Sequence, residues 1–412
     1  MSGPVRLLNQ SLPRFFAIAA VLAIAACAQP PAPPPKPLPP PPPPPVAGNP
    51  LNHDQPGYLR LPGTAPDQVP VRVGIILPFS SGSAATRALA ASMLKAAELA
   101  MFESGNRDIL LMTADEGNGG AASAKAAQQL LDQGAEVIVG PLFGPSVAAV
   151  TPLARDRGVP VLAFSTEKNV AGNGAYLLSF LPQGEVRRVV SFAAANGHSQ
   201  FAALLPESPY GEVTGSAFNE AVSDGHGKVV DVEHFTNDAG EVAAPSDAVV
   251  KSGADAILIA QGGVMLRAIA PTLSLHGASR DKVKLLGTGL WSDDPSLEKE
   301  SSLSGSWYAA PEPNADEKFV TTYRSTFGAA PAPLASLAYD AVSLVALLSP
   351  GTPYHRFTQA ALMDPNGFAG VNGIFRFTAD GTSERGLAVM EVTPVGPMVV
   401  SPAPTTFQKK NS

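Results

Sequence analysis

The chain is predicted to be α/β, with parallel strands packed between helices, and three observations carry that prediction. From Val71 onward, short aliphatic and β-branched runs alternate with longer segments of helical periodicity. Such βαβα alternation implies parallel sheets with helices on both faces. About eight strand-like segments precede residue 290, which favours two sheets over a single very wide one. The segments after the strands are short, mostly uncharged and rich in Gly, Ser and Thr, and in doubly wound folds the loops at the carboxyl ends of the strands hold the ligand.

The elements follow in order. Residues 71–78, VRVGIILP, form the first strand, and residues 87–104 form a helix with Leu89, Met93, Ala97 and Met101 along one stripe. A strand is expected over 108–115, a helix over 123–134 that stops at Gly134, and a strand over 137–140. The same beat continues with a helix from Ser146 and a strand over 159–165. After a break near Pro182 come segments 185–197, 200–207, 211–227, 228–235, 255–261, 265–277 and 284–289. The loops to inspect contain PFSSGSA, ADEGN, GPLFGPS, AFSTEKN, PESPYG, QGG and GTGLWSDD.

Composition excludes several functions. One Cys in 412 residues rules out a disulfide scaffold, and the six histidines form no H-x₃-H or HExxH pair, so no metal is expected. With 28 Lys and Arg against 35 Asp and Glu and no basic stripe, no nucleic-acid partner is expected. At 45% hydrophobic residues the chain can bury a large core.

The amino terminus reads as an export signal. Arg6 and Arg14 precede an apolar run of 12 residues, FFAIAAVLAIAA, shorter than the roughly 20 residues that a spanning helix needs. The run ends in IAAC, which resembles the lipobox of bacterial lipoproteins and makes Cys27 the expected site of cleavage and acylation. Thirteen of the sixteen residues from Pro30 to Pro45 are proline. Such a run is semi-rigid polyproline II at about 3.1 Å per residue, a stalk of roughly 50 Å. The expected organisation is a signal peptide over 1–26, acylated Cys27 and linker over 27–69, the folded part, and a flexible tail over 398–412.

No motif assembles an acid, a base and a nucleophile, so no enzyme and no cofactor are expected. GPSVA at 144–148 lacks the second glycine of a nucleophile elbow, which leaves Ser146 as an ordinary residue at a helix start. There is no P-loop, since GNGG at 117–120 lacks the lysine. Asp115-Glu116 ends a strand, where a carboxylate can orient loop amides or touch a ligand.

The ordered series of segments resembles the type I periplasmic binding proteins of the leucine/isoleucine/valine class. It is carried by VRVGIILPFSSGSAATRALAASMLKAAELA, LLMTADEGN, EVIVGPLFGPSVAAVTPLARDRGVPVLAFSTEKN, PYGEVTGSAFNEAV, SLAYDAVSLVALL and NGIFRFTADGTSERGLAVMEV, over about 320 residues. The resemblance implies two Rossmann-like lobes joined by three crossovers, near residues 182–187, 306–311 and 350–368. Lobe one would combine about 70–183 with 310–350, and lobe two about 185–306 with 366–397. The interlobe cleft would trap a small polar, amino-acid-like ligand by hinge closure, as in ABC-transporter binding proteins that serve a permease.

By the same resemblance, the candidate ligand residues are Ser80, Gly144, Ser146, Ser165, Thr166 and Glu167 from the first lobe. Tyr210, Gln261 and Gly289 are the candidates from the second. Gly144 stands where relatives offer a hydroxyl to the ligand carboxylate, and the acid that pairs with the ligand ammonium is replaced near Gly289 or Leu290. A buried ammonium without a counter-charge costs several kcal/mol, so Glu167 or Asp293 would have to substitute. GTGLWSD, the missing acid, the proline stalk and the lipobox also resemble the penicillin-binding-protein activator branch, outer-membrane lipoproteins that reach a peptidoglycan synthase. Ala28 after the acylated Cys is similar to the outer-membrane sorting signal of enterobacterial lipoproteins.

Overall fold

A computed structural model describes residues 57–62, 69–292, 294 and 296–408. The chain divides into two compact units, Met1–Pro40 and Pro41–Ser412, and every described residue belongs to the second. The export signal, Cys27, the proline run and Asp293 lie outside the described residues.

The first lobe is built on a six-stranded sheet of order β1-β3-β2-β4-β5-β6. Its strands are β1 (Tyr58–Arg60), β2 (Val71–Leu77), β3 (Ile109–Asp115), β4 (Val137–Val139), β5 (Val161–Ala163) and β6 (Ala175–Leu177). Helices α1 (Ala84–Ser104), α2 (Gly120–Asp132) and α3 (Gly144–Asp156) cover it. Every residue of β2 is buried, as expected for a strand with helices on both faces. Alternation sorts its side chains: Val73, Ile75 and Leu77 pack with Met93 and Ala97 of α1, while Ile76 packs on the other face with Leu130 of α2 and Val147 of α3. Gly74 lets α2 come close, since a Cβ there would lie 2.9 Å from Leu130 Cδ1.

The second lobe begins with α4 (Pro182–Ala195) and continues through β7 (Gln200–Pro206), α5 (Pro209–Asp224), β8 (Lys228–Phe235), α6 (Ala243–Lys251), β9 (Ala256–Ile259), α7 (Gly263–Leu275), β10 (Lys284–Gly287) and β11 (Trp307–Ala310). The chain returns to the first core with α8 (Glu317–Phe327) and α9 (Ala335–Leu348), and a short helix α10 (Gln359–Leu362) follows. A three-stranded antiparallel sheet comes next, of β12 (Phe368–Gly370), β13 (Gly373–Phe377) and β14 (Ser383–Arg385). The last strands, β15 (Ala388–Thr393) and β16 (Gly396–Ser401), complete a seven-stranded sheet of order β16-β15-β11-β10-β9-β7-β8.

The fold is thus α/β with mostly parallel strands in two main sheets, and it differs from expectation in five respects. Tyr58–Arg60 of β1 falls within the stretch expected as linker (27–69) because it pairs with β3, and β16 runs to Ser401 inside the expected tail (398–412) because it pairs with β15. The edges are antiparallel: β1 pairs against β3, and β15 pairs against both β11 and β16. The β15–β16 connection is a short turn, which only antiparallel neighbours allow. Helices start before their apolar stripes, because caps rather than the stripe set their origin: Ser83 Oγ accepts the Thr86 N–H at the head of α1, and α4 and α5 open on prolines. The third passage between lobes also falls later than residues 350–368. Phe368, Phe375 and Phe377, assigned from sequence to lobe two, lie in the core of lobe one with Leu337 and Val345 of α9, and the chain rejoins the second sheet only at Ala388.

Candidate functional site

Strand order locates the site. In the first sheet the chain leaves β2 for β3 on one side and then returns to β4 on the other. In the second sheet β7 stands in the same way between β8 and β9. Ligands bind outside the carboxyl ends of strands at such reversals, so the loops after β2, β4, β7 and β9 and their neighbours form the candidate surface.

On the first lobe this surface is organised by carboxylates. Asp115, at the end of β3, accepts the N–H of Ser80 (3.1 Å) and of Gly117 (3.0 Å). Partial burial opposes its charge, but these hydrogen bonds prevail and hold it below the usual carboxylate range. Glu116 is wholly buried and accepts the N–H groups of Leu142 and Phe143, both at 3.0 Å. Burial pushes its carboxyl upward even though these donors favour the charge.

The residues predicted from the sequence separate into two groups here. Ser146 is 1% exposed and its hydroxyl lies in hydrogen-bond contact with Ser123 Oγ (2.8 Å), which in turn lies 2.9 Å from the Glu116 carbonyl. Its hydroxyl is therefore consumed inside the lobe, where it joins α2 to α3, and it does not line the surface. Ser165 is also buried and accepts the Glu167 N–H at 3.1 Å, a turn that serves the loop itself. Ser80, Thr166 and Glu167 are exposed. Gly144, the first residue of α3, meets Glu167 so closely that an added Cβ would collide with the Glu167 carboxylate.

On the second lobe, Tyr210 and Gly289 are brought together by two residues that sequence reasoning missed. The Tyr210 hydroxyl hydrogen-bonds Thr288 Oγ1 (2.9 Å), and Glu185 Oε2 accepts the Gly289 N–H (2.9 Å). A Cβ on Gly289 would lie 2.7 Å from Glu185 Oε1, so a larger residue there would displace the Glu185 carboxylate. Burial, reinforced by the nearby Glu185 charge, raises the Tyr210 phenol well above its ordinary value. Gln261 turns its side chain onto the adjacent Gly262 N–H (3.1 Å), and its carbonyl accepts from Trp291 Nε1 (2.9 Å). It therefore braces the loop around fully buried Trp291. Nothing in the spacing of Glu185 and Gly289, 104 residues apart, signals their meeting.

Among the described residues, no group of three or more His, Cys, Asp or Glu is placed to hold a metal, and no helix is long and apolar enough to cross a membrane.

The sequence model of the periplasmic binding protein family matches residues 70–397. The chain belongs to that family. Periplasmic binding proteins are generally non-catalytic solute binders, and membership implies a periplasmic or extracellular location. Solved structures share the fold. A putative branched-chain amino acid ABC transporter protein from Rhodospirillum rubrum is similar at 18% identity and TM-score 0.70, over 80% of this chain and 100% of its own. A substrate-binding protein of Desulfitobacterium hafniense in complex with Leu is 19% identical at TM-score 0.58, over 80% and 99% of the two chains. A solute-binding protein of R. palustris in complex with 4-hydroxybenzoate is 18% identical at TM-score 0.58, over 82% and 97%. No curated protein matches the chain.

Proposed function

We propose that this periplasmic binding protein is a lipid-anchored receptor that closes two lobes on a small, amine-bearing, amino-acid-like solute and delivers it to an ABC permease. Lobe one is taken as residues 70–183 and 310–350 together with β12–β14, and lobe two as 185–306 with the β15–β16 hairpin. The observation that carries the reading is Glu185, whose carboxylate sits over Gly289 beside Tyr210. The sequence lacks an acid in the Gly289 loop, and Glu185 supplies from α4 the counter-charge that an ammonium group needs out of water. Similar proteins are known with leucine or 4-hydroxybenzoate bound, so a cleft of this kind accommodates small polar molecules with apolar bodies.

Cys27 would carry the lipid, with Ala28 directing the chain to the outer membrane and the proline run lifting the receptor away from it. The test is a thermal-shift screen of the detergent-solubilised full-length chain against amino acids, their amides, short peptides and muropeptide fragments. A ligand at 100 times its dissociation constant adds about 2.7 kcal/mol, and at least one amine-bearing solute is expected to raise the midpoint. Silence across the whole panel would overturn solute capture.

A second reading, a penicillin-binding-protein activator that contacts a peptidoglycan synthase, is favoured by the proline run. Thirteen prolines in sixteen residues would make a spacer of roughly 50 Å, a reach that suits contact with a partner held at a distance from the membrane. On that reading, shortening the stalk abolishes the effect on the synthase. Function that is indifferent to stalk length would remove it.

A further inference from the structure

Each lobe presents a glycine covered by a carboxylate of the chain itself. Glu167 lies over Gly144 at the head of α3, and Glu185 over Gly289 at the end of β10. The head of a helix favours negative charge, and Glu167 already supplies it. The loops at the carboxyl ends of the parallel strands, residues 78–83, 115–119, 140–143, 164–167, 206–208 and 260–262, contain Asp115, Glu116, Glu167 and Glu207 but no Lys or Arg.

Of the two cations next to these loops in sequence, Lys168 is engaged outside them, whereas Arg87 is held on carbonyls of the first loop. Lys168 lies 3.9 Å from Asp380, and Arg87 donates to the carbonyls of Ser81 (2.5 Å) and Gly82 (3.1 Å). Beside the acids, Phe143 and Leu290 remain 43% and 38% exposed on the two lobes, large apolar side chains at loop positions where solute would pass. A solute carboxylate that reached α3 would find its place taken and would be repelled. A cationic group beside Glu167 would instead be attracted.

We propose that this cleft selects a positively charged amine with an apolar body and no free carboxylate, and that Glu167 sets the preference by occupying the head of α3 over Gly144. This rests on the reading that the cleft holds a small solute, and the test separates the two. Calorimetry on the full-length chain in detergent would compare L-leucine with L-leucinamide, L-phenylalanine with L-phenylalaninamide, and 1,5-diaminopentane alone.

Each amide is expected to bind at least about tenfold more tightly than its acid, since like charges in contact cost a kcal/mol or more. Glu167→Gln should bring the ratio close to one, and Glu167→Ser should raise the affinity for the free acids. Because Glu167 is exposed, both variants should keep the parent melting midpoint to within about 2 °C. An acid that binds as tightly as its amide, or a preference that survives Glu167→Gln, overturns the proposal and leaves solute capture standing. Absence of binding by every probe overturns both.

Discussion

Asp340 and Arg385 form a buried ion pair, with 3.6 Å between Oδ2 and Nη2 and side chains 1% and 4% exposed. Asp340 belongs to α9 of the first lobe, and Arg385 ends β14, just before the chain rejoins the second sheet. The Arg385 Nε donates to the Ser179 carbonyl (3.1 Å), and its guanidinium lies 4.3 Å from the centre of the Phe180 ring. Asp340 Oδ1 accepts the Val371 N–H at 2.7 Å. The pair thus ties together the segment at Ser179–Phe180, α9 and the return strand.

Burial pushes the Asp340 carboxyl up to about 6, against the opposing pull of Arg385 and the Val371 N–H. A folded value above the ordinary 3.8 means that the folded chain holds a proton which the unfolded chain has released. This residue's contribution to stability therefore grows as pH falls through about 6 and is complete below about 3.8. Between pH 7 and pH 5 the native protein should gain in melting midpoint relative to Asp340→Asn. Parallel curves for the two proteins would refute the assignment.

Glu136 and Arg356 make a second buried clasp, with Nη1 at 2.7 and 2.9 Å from the two carboxylate oxygens and the Tyr354 N–H at 2.7 Å from Oε2. Arg356→Leu leaves the Glu136 charge without its partner and should cost about 3 kcal/mol. Denaturant unfolding of parent and variant would measure the loss, and a difference below about 1 kcal/mol would show that the residual Tyr354 contact suffices.

Gly287 ends β10 directly beneath the Trp291 indole, and a Cβ there would strike the ring. Overpacking of this kind costs about 1–3 kcal/mol. Gly287→Ala should lower the melting midpoint and change the Trp291 fluorescence together, whereas a variant with parent fluorescence would mean that the ring stays in place.

Removing the charge of Glu185 should weaken binding of any amine probe by about tenfold or more, since a hydrogen-bonded charge partner is worth about 2 kcal/mol or better. Glu185→Gln keeps an acceptor for the Gly289 N–H, so folding should be unaffected while calorimetry reports the loss. Unchanged amine affinity would discard Glu185 as the counter-charge.

Replacing Cys27 with Ser should move the protein from the membrane fraction to the soluble periplasmic fraction, because acylation requires the thiol. Membrane pelleting of the Ser variant would discard the lipid anchor.

The α/β class and most element positions were legible in the sequence, because strand and helix periodicities are local properties of runs such as 71–78 and 228–235. A family resemblance carried by loop order likewise located Gly144, Glu167, Tyr210 and Gly289 near strand ends. What the local pattern could not express was direction and distance. Ser146 and Ser165 stand in the right loops, yet their hydroxyls turn inward to Ser123 and to the Glu167 N–H, because a side chain's facing depends on which helix packs over it. Phe368, Phe375 and Phe377 follow the third passage in sequence order but join the first core, since hydrophobic burial is blind to chain order and follows the nearest apolar surface. The approach of Glu185 to Gly289, and of Glu167 to Gly144, exists only once α4 and the β5 loop are folded against the ends of strands distant in sequence. The sequence by itself determined the kinds of elements and their order, while only the tertiary structure decided which acids cover which glycines, because long-range packing brings together charges that no local pattern relates.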